Sequence, residues 1–314
     1  MKYLKDLHDG DRVADIYLCK HKTSAVTKNG KNYWSVTLQD KTGTIDAKVW
    51  EPNGAGIEDF DDMDYIDVVG DVSSFNGALQ VSIKRARIVG ETEYNPADYL
   101  PVSERNIDEM YGEILAMIDK TSNEHLKKLL KAFFVEDEDF IKKFKYSSAA
   151  KSVHHGFIGG LVEHSLSVAG ICEFFASHYE VINRDLIVSA ALLHDIGKIK
   201  EIDPFPANDY SDDGNLLGHI VMGAIMVDEK IKSIPDFPHV LASEVKHCIL
   251  SHHGEYEYGS PKKPAIIEAV ALNFADNVDA KVETFTEILK GTNSMDWLGF
   301  NRLFDSNIRI TKFD

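Results

Sequence analysis

The chain has 314 residues, 44% of them hydrophobic and 27% charged, and a formal net charge of -17 at pH 7. This is ordinary globular material, long enough for two or three domains, with no apolar run that would span a membrane. So acidic a balance argues against a general polyanion-binding surface; Cys19, Cys172 and Cys248 are too far apart for a Cys-x-x-Cys metal knuckle and suit a reducing cytoplasm.

The first 90 residues predict β structure. Val13–Cys19, Tyr33–Gln39, Thr44–Trp50, Tyr65–Val72 and Leu79–Val89 are short runs rich in β-branched and aromatic residues, with Asn29-Gly30, Thr42-Gly43 and Asn76-Gly77 as turns. Five such strands suit a small OB-fold barrel, with Glu51–Asp64 as an acidic insertion between the third and fourth. This region is nearly balanced in charge, and residues 20–50 are locally basic through Lys20, Lys22, Lys28, Lys31, Lys41 and Lys48. A single strand of nucleic acid is held by ring stacking and a basic track. Tyr33, Trp34, Trp50 and Phe75 are the candidate rings, and Lys28, Lys31 and Lys48 are among the candidate cations. Strand alternation buries about half of such rings and keeps Tyr33 and Trp34 off one face.

Residues 91–150 predict a linker with connecting helices. Asn95-Pro96 and Leu100-Pro101 break regular structure, and from Asn106 the apolar spacing turns helical through Ile107, Met110, Ile114 and Ile118, then Leu126, Leu129, Leu130 and Phe133. Residues 151–290 predict an all-α bundle with helices over Leu161–Tyr179, Asp185–Lys198, Gly218–Lys232, His239–His252 and Pro264–Leu289. The segment 291–314, with Trp297, Phe300, Phe304, Ile308, Ile310 and Phe313, is too apolar for a free tail and predicts packing or a homo-oligomer interface.

Ten of the 13 histidines lie between His154 and His253. His178, His239 and His247 stand alone, as does His125 before them, and are taken as surface or core side chains. His194-Asp195 ends an apolar run, and His164, His219, His252-His253 and Asp276 fall about one per predicted helix. That order is what a two-metal hydrolytic centre on a helical scaffold needs, since a carboxylate can bridge two ions. Asp276 lies in a mostly apolar helix, where a carboxylate is costly unless a cation neutralises it.

Gly159-Gly160-Leu161-Val162-Glu163-His164-Ser165-Leu166 and Ala191-Leu192-Leu193-His194-Asp195-Ile196-Gly197-Lys198 resemble the first two motifs of the HD superfamily of metal-dependent phosphohydrolases, with Asp276 as its last ligand. An OB-like barrel followed by such a domain is similar to the YhaM-type 3′–5′ exoribonucleases. The resemblance implies one metal on His164, His194, Asp195 and Asp276, and a second on Asp195, His219, His252 and His253. It implies Mn²⁺, with Co²⁺, Fe²⁺ or Zn²⁺ also suited to such donors. Asp195 and Lys198 would be the catalytic residues, Lys198 meeting a phosphate oxygen, and His154 and His155 are candidates to contact substrate. The implied reaction removes nucleoside 5′-monophosphates from the 3′ end of single-stranded RNA, with single-stranded DNA as a further substrate.

Two alternatives compete. One is an HD phosphohydrolase of nucleotides or cyclic dinucleotides; the Gly-Tyr-Pro element expected after His252-His253-Gly254-Glu255 is absent, the chain reading Tyr256-Glu257-Tyr258-Gly259-Ser260-Pro261. The other is a non-enzymatic single-strand-binding protein, for which so many clustered histidines have no purpose.

Overall fold

A computed structural model describes residues 2–75, 77–151, 155–290, 292 and 296–312. Packing divides the chain into two compact units, Met1–Val102 with Phe205–Ala207, and Ser103–Pro204 with Asn208–Asp314.

The first unit is a closed five-stranded barrel. Its strands are β1 (Arg12–Val26), β2 (Asn32–Asp40), β3 (Gly43–Val49), β4 (Tyr65–Phe75) and β5 (Ala78–Ile88). They close in the order β1-β2-β3-β5-β4, antiparallel except where β3 runs parallel to β5. Period-2 alternation turns Val36 and Leu38, Ile45, Ala47 and Val49, Ile66 and Val68, and Val81 and Ile83 inward, where they are buried. The acidic insertion contributes Phe60 to this core. β1 runs seven residues beyond the expected Cys19. A bulge between Cys19 and His21 resets its register, and the extension pairs with the start of β2 while mostly exposed. Without a buried face it carries no hydrophobic alternation, so the pattern missed it.

The second unit is helical. α1 (Ile107–Asp119), α2 (Glu124–Phe134) and α3 (Glu138–Tyr146) are capped by the side chains of Asn106, Asn123 and Asp137, which accept from backbone N–H groups of the first turn. α4 (Gly160–His178) packs on α5 (Arg184–Leu193) and on α9 (Ile267–Lys290); α7 (Asp212–Ser233) and α8 (His239–Ser251) pack on each other. α5 is apolar all round and buried from Leu186 to Leu193, as the central helix of a bundle should be.

Two helix limits differ most from expectation. α5 stops at Leu193, and Lys198 opens a separate one-turn helix, α6 (Lys198–Glu201). His194 and Lys198 are therefore not one turn apart on a continuous helix. α7 begins at Asp212, where Ser211 accepts from the Gly214 N–H, and is interrupted at Gly218 (φ 72°, ψ 154°). The apolar tail forms a hairpin, β6 (Trp297–Asn301) with β7 (Ser306–Arg309), whose Ile308 is buried and whose Phe304 ring meets Phe285 of α9 at 5.3 Å. No described helix is long and apolar enough to cross a membrane. His154 and Phe313 lie outside the described residues, as does Asn76.

Candidate metal centre

α4, α5, α7, α8 and α9 each contribute to one buried cluster. His164 comes from the second turn of α4. His194 caps the end of α5, and Asp195 follows it in the turn to α6. His219 restarts α7 after Gly218, His252 and His253 close α8, and Asp276 lies midway along α9. Gly197 has to be glycine, because a Cβ there would sit 2.0 Å from the His219 carbonyl oxygen. That close approach brings the His-Asp turn against the restarted α7. At Gly218 the positive φ lets α7 turn sharply, so that the His219 N–H reaches the Glu201 carboxylate (2.9 Å) instead of a helical carbonyl.

Asp195 divides the donors into two sets. Its Oδ2 lies 3.2 Å from His164 Nε2 and 3.4 Å from His194 Nε2; Asp276 Oδ1 lies 3.3 and 3.9 Å from those same nitrogens. Its Oδ1 lies 3.4 Å from His219 Nε2 and 3.6 Å from His252 Nε2. Donor atoms of His219, His252 and His253 also form a group within 4.8 Å of one another. Donors about 2.1 Å from a common ion are about 3.0–3.4 Å apart, so most of these spacings suit ion cages.

The opposite nitrogen of every ring is already engaged. His164 Nδ1 faces Asp279 Oδ2 (2.7 Å), His194 Nδ1 the Ala191 carbonyl (2.6 Å) and His219 Nδ1 Glu201 Oε1 (2.9 Å). His252 Nδ1 faces the Ile249 carbonyl (2.7 Å) and His253 Nδ1 the Tyr258 carbonyl (2.8 Å). In the neutral ring each Nδ1 therefore carries the proton and each Nε2 turns a lone pair inward. His164 Nε2 and His194 Nε2 then oppose each other at 3.2 Å. Asp195 Oδ1, His219 Nε2 and His252 Nε2 are buried and have no hydrogen-bond partner. Converging acceptors at this depth cost several kcal/mol unless a cation lies among them. The donor set thus fits divalent ions.

The electrostatics agree. Burial alone would lower the pKa of His164, but Asp195, Asp276 and Asp279 hold it well above the ordinary value. Burial would raise Asp195 and Asp276, yet Lys198 and His194 hold the first, and His164 the second, well below the carboxylate range. Burial, with His253 and His194, pushes His252 well down. A cation entering this cluster displaces the proton that the carboxylates keep on His164.

The remaining expected residues fall in different places. Lys198 Nζ donates to Asp195 Oδ2 at 2.5 Å, so its charge steadies the shared carboxylate. His155 is 2% exposed and directs Nε2 at Asp279 Oδ2 (3.1 Å), behind His164. Glu163 accepts from the Ser103 hydroxyl. Two supporting carboxylates went unnoticed in the sequence. Asp279 could have been found, since it follows Asp276 by three residues on one helix face. Glu201 sits in the polar run Lys198-Ile199-Lys200-Glu201, which gives no signal.

On the barrel, the Tyr33 and Trp50 rings lie 5.2 Å apart in a cleft also lined by Val26 and Lys31, and Trp50 is 47% exposed. Trp34 turns the other way, against Phe60 (5.5 Å) and under Lys22. Lys48 donates to Ser35 and Asp46, while Lys28 and Lys31 are exposed. Phe75, 63% exposed, ends β4. The structure thus joins Tyr33, Trp50 and Lys31 in one cleft, which Trp34 also lines while its ring packs on Phe60.

A buried His/Asp cluster on a helical unit, in a chain that also carries a closed barrel, defines a class that sequence comparison confirms. The HD domain profile matches residues 161–281, and that of an OB-fold nucleic acid binding domain matches residues 16–89. The chain is 35% identical over 285 residues to the 3′-5′ exoribonuclease YhaM of Bacillus velezensis, covering 88% of this chain and 87% of that one. It is 34% identical over 289 residues to YhaM of Bacillus subtilis, covering 90% of each, and 32% identical over 289 residues to YhaM of Bacillus licheniformis, again covering 90% of each. The chain belongs to the YhaM 3′-5′ exoribonuclease family.

Proposed function

We propose that the protein is a divalent-metal-dependent 3′–5′ exoribonuclease that shortens single-stranded RNA to nucleoside 5′-monophosphates. The observation that carries this reading is the division of Asp195, one oxygen facing His164 and His194 and the other facing His219 and His252. A carboxylate placed so would serve two ions at once. We assign a pair of Mn²⁺ ions on the likeness to the family; imidazole and carboxylate donors without thiolate suit Co²⁺, Fe²⁺ or Zn²⁺ as well. When bound, such ions lower the pKa of water and neutralise phosphate charge.

This chain's residues do the rest. His164, His194 and Asp276 hold one side of the centre, and His219, His252 and His253 the other. Lys198 keeps Asp195 oriented and leaves a positive charge beside the site for a non-bridging phosphate oxygen. Water adds to the terminal phosphorus, the bond to the 3′ oxygen of the preceding nucleotide breaks, and that oxygen takes up a proton. Tyr33 and Trp50 give bases a stacking surface, with Lys31 beside it for the backbone.

The test is a single-stranded RNA labelled at its 5′ end, digested with Mn²⁺ and with chelator. Stepwise shortening with release of nucleoside 5′-monophosphate, abolished by chelator, is the expected result; internal fragments, or products from the 5′ end, would refute it. The same digest with single-stranded DNA measures how strictly the sugar is read.

The β6–β7 hairpin leaves Trp297, Phe300 and Leu303 more than 60% exposed. A second copy of the chain is the partner we assign to that surface. Sedimentation velocity showing only monomer at micromolar concentration would rule this out.

A further inference from the structure

Five imidazoles surround the centre, and they are not supported alike. His194, His252 and His253 donate from Nδ1 to backbone carbonyls of Ala191, Ile249 and Tyr258. His164 and His219 donate to carboxylates, Asp279 Oδ2 at 2.7 Å and Glu201 Oε1 at 2.9 Å. One carboxylate-backed ring falls in each set of donors: His164 with His194 and Asp276, His219 with His252 and His253.

A carboxylate is a stronger acceptor than a carbonyl. It draws on the Nδ1 proton, raises electron density at Nε2 and fixes the ring plane, which strengthens the nitrogen as a ligand. Both carboxylates are built in. Asp279 is 7% exposed and is held by the Ser167 hydroxyl on Oδ1 and by His155 on Oδ2. Glu201 Oε1 receives both the backbone N–H and the ring N–H of His219, and the Glu201 carbonyl accepts from Ser211. His155, His164 and Asp279 could also be read as a third ion cage. That fails, because a neutral imidazole has one lone pair and His164 directs it from Nε2 toward Asp195.

We propose that Asp279 and Glu201 are positioning residues that tune the two ion sites separately, Asp279 acting through His164 on one and Glu201 through His219 on the other. This rests on the two-site reading above. His155 and Ser167 keep Asp279 in place, which accounts for a histidine buried so far from solvent.

The measurement is Mn²⁺ titration by calorimetry of the full chain and of Asp279→Asn and Glu201→Gln, with anomalous scattering from crystals at limiting Mn²⁺ to locate the ions. The unaltered chain should take up two ions. Each amide variant should weaken one ion about 10–100-fold and leave the other within about twofold. Asp279→Asn should empty the His164 site and Glu201→Gln the His219 site. Melting of each variant in excess chelator should match that of the unaltered chain. If Asp279→Asn does not fold, Glu201→Gln carries the test alone. Two ions bound normally by both variants, or both sites emptied alike by either, overturns the proposal while the two-site reading stands. One ion in the unaltered chain overturns both.

Discussion

Asp195→Asn should reduce Mn²⁺-dependent exonuclease turnover on the order of 10³-fold or more, with the far-ultraviolet circular dichroism unchanged. The side chain keeps its shape, but one oxygen becomes an NH₂ group that cannot accept. Whichever way the amide turns, one donor set loses its shared oxygen and Lys198 loses an ionic partner 2.5 Å away. The other ligands each serve one set, so no other single change reaches both. A variant retaining near-normal turnover would show that the split carboxylate is not the heart of the site.

Alanine at both Tyr33 and Trp50 should weaken binding of a single-stranded oligoribonucleotide by roughly 10- to 100-fold, the value of a single base stack at about 1–3 kcal/mol. The two rings touch, so their losses should not simply add. Hydrolysis of a small phosphodiester such as bis(p-nitrophenyl) phosphate should stay within about twofold, because neither ring belongs to the helical unit. Fluorescence anisotropy gives the first quantity and release of nitrophenol the second. Equal loss on both substrates would mean that the rings support the fold rather than hold a strand.

The barrel was legible because its strands bury one face each, and alternation around Val36, Ile45, Ile66 and Val81 reports that directly. The exposed end of β1 obeys no such rule, and the β6–β7 hairpin is held by a few contacts such as Phe304 on Phe285. The break after Leu193 was hidden because Ile196, also buried, follows Leu192 and Leu193 at helical spacing, although the backbone has left the helix. At the centre the sequence showed residue types and their order. It did not show which ring nitrogen faces inward, since this depends on acceptors up to 115 residues away, such as Asp279 for His164. Tyr33 and Trp34 look interchangeable as letters; the pleat separates them, turning one ring onto Trp50 and the other onto Phe60.

Five Nδ1 anchors hold the rings around the centre. All of them are supplied by the polypeptide, three by main-chain carbonyls. The planes of the rings are therefore set by the surrounding chain as well as by what their inner nitrogens meet. Which cation occupies such a set of nitrogen and oxygen donors is decided by supply in the surroundings as much as by fit. Decay of RNA by such a protein would rise and fall with that supply while its own abundance stayed constant.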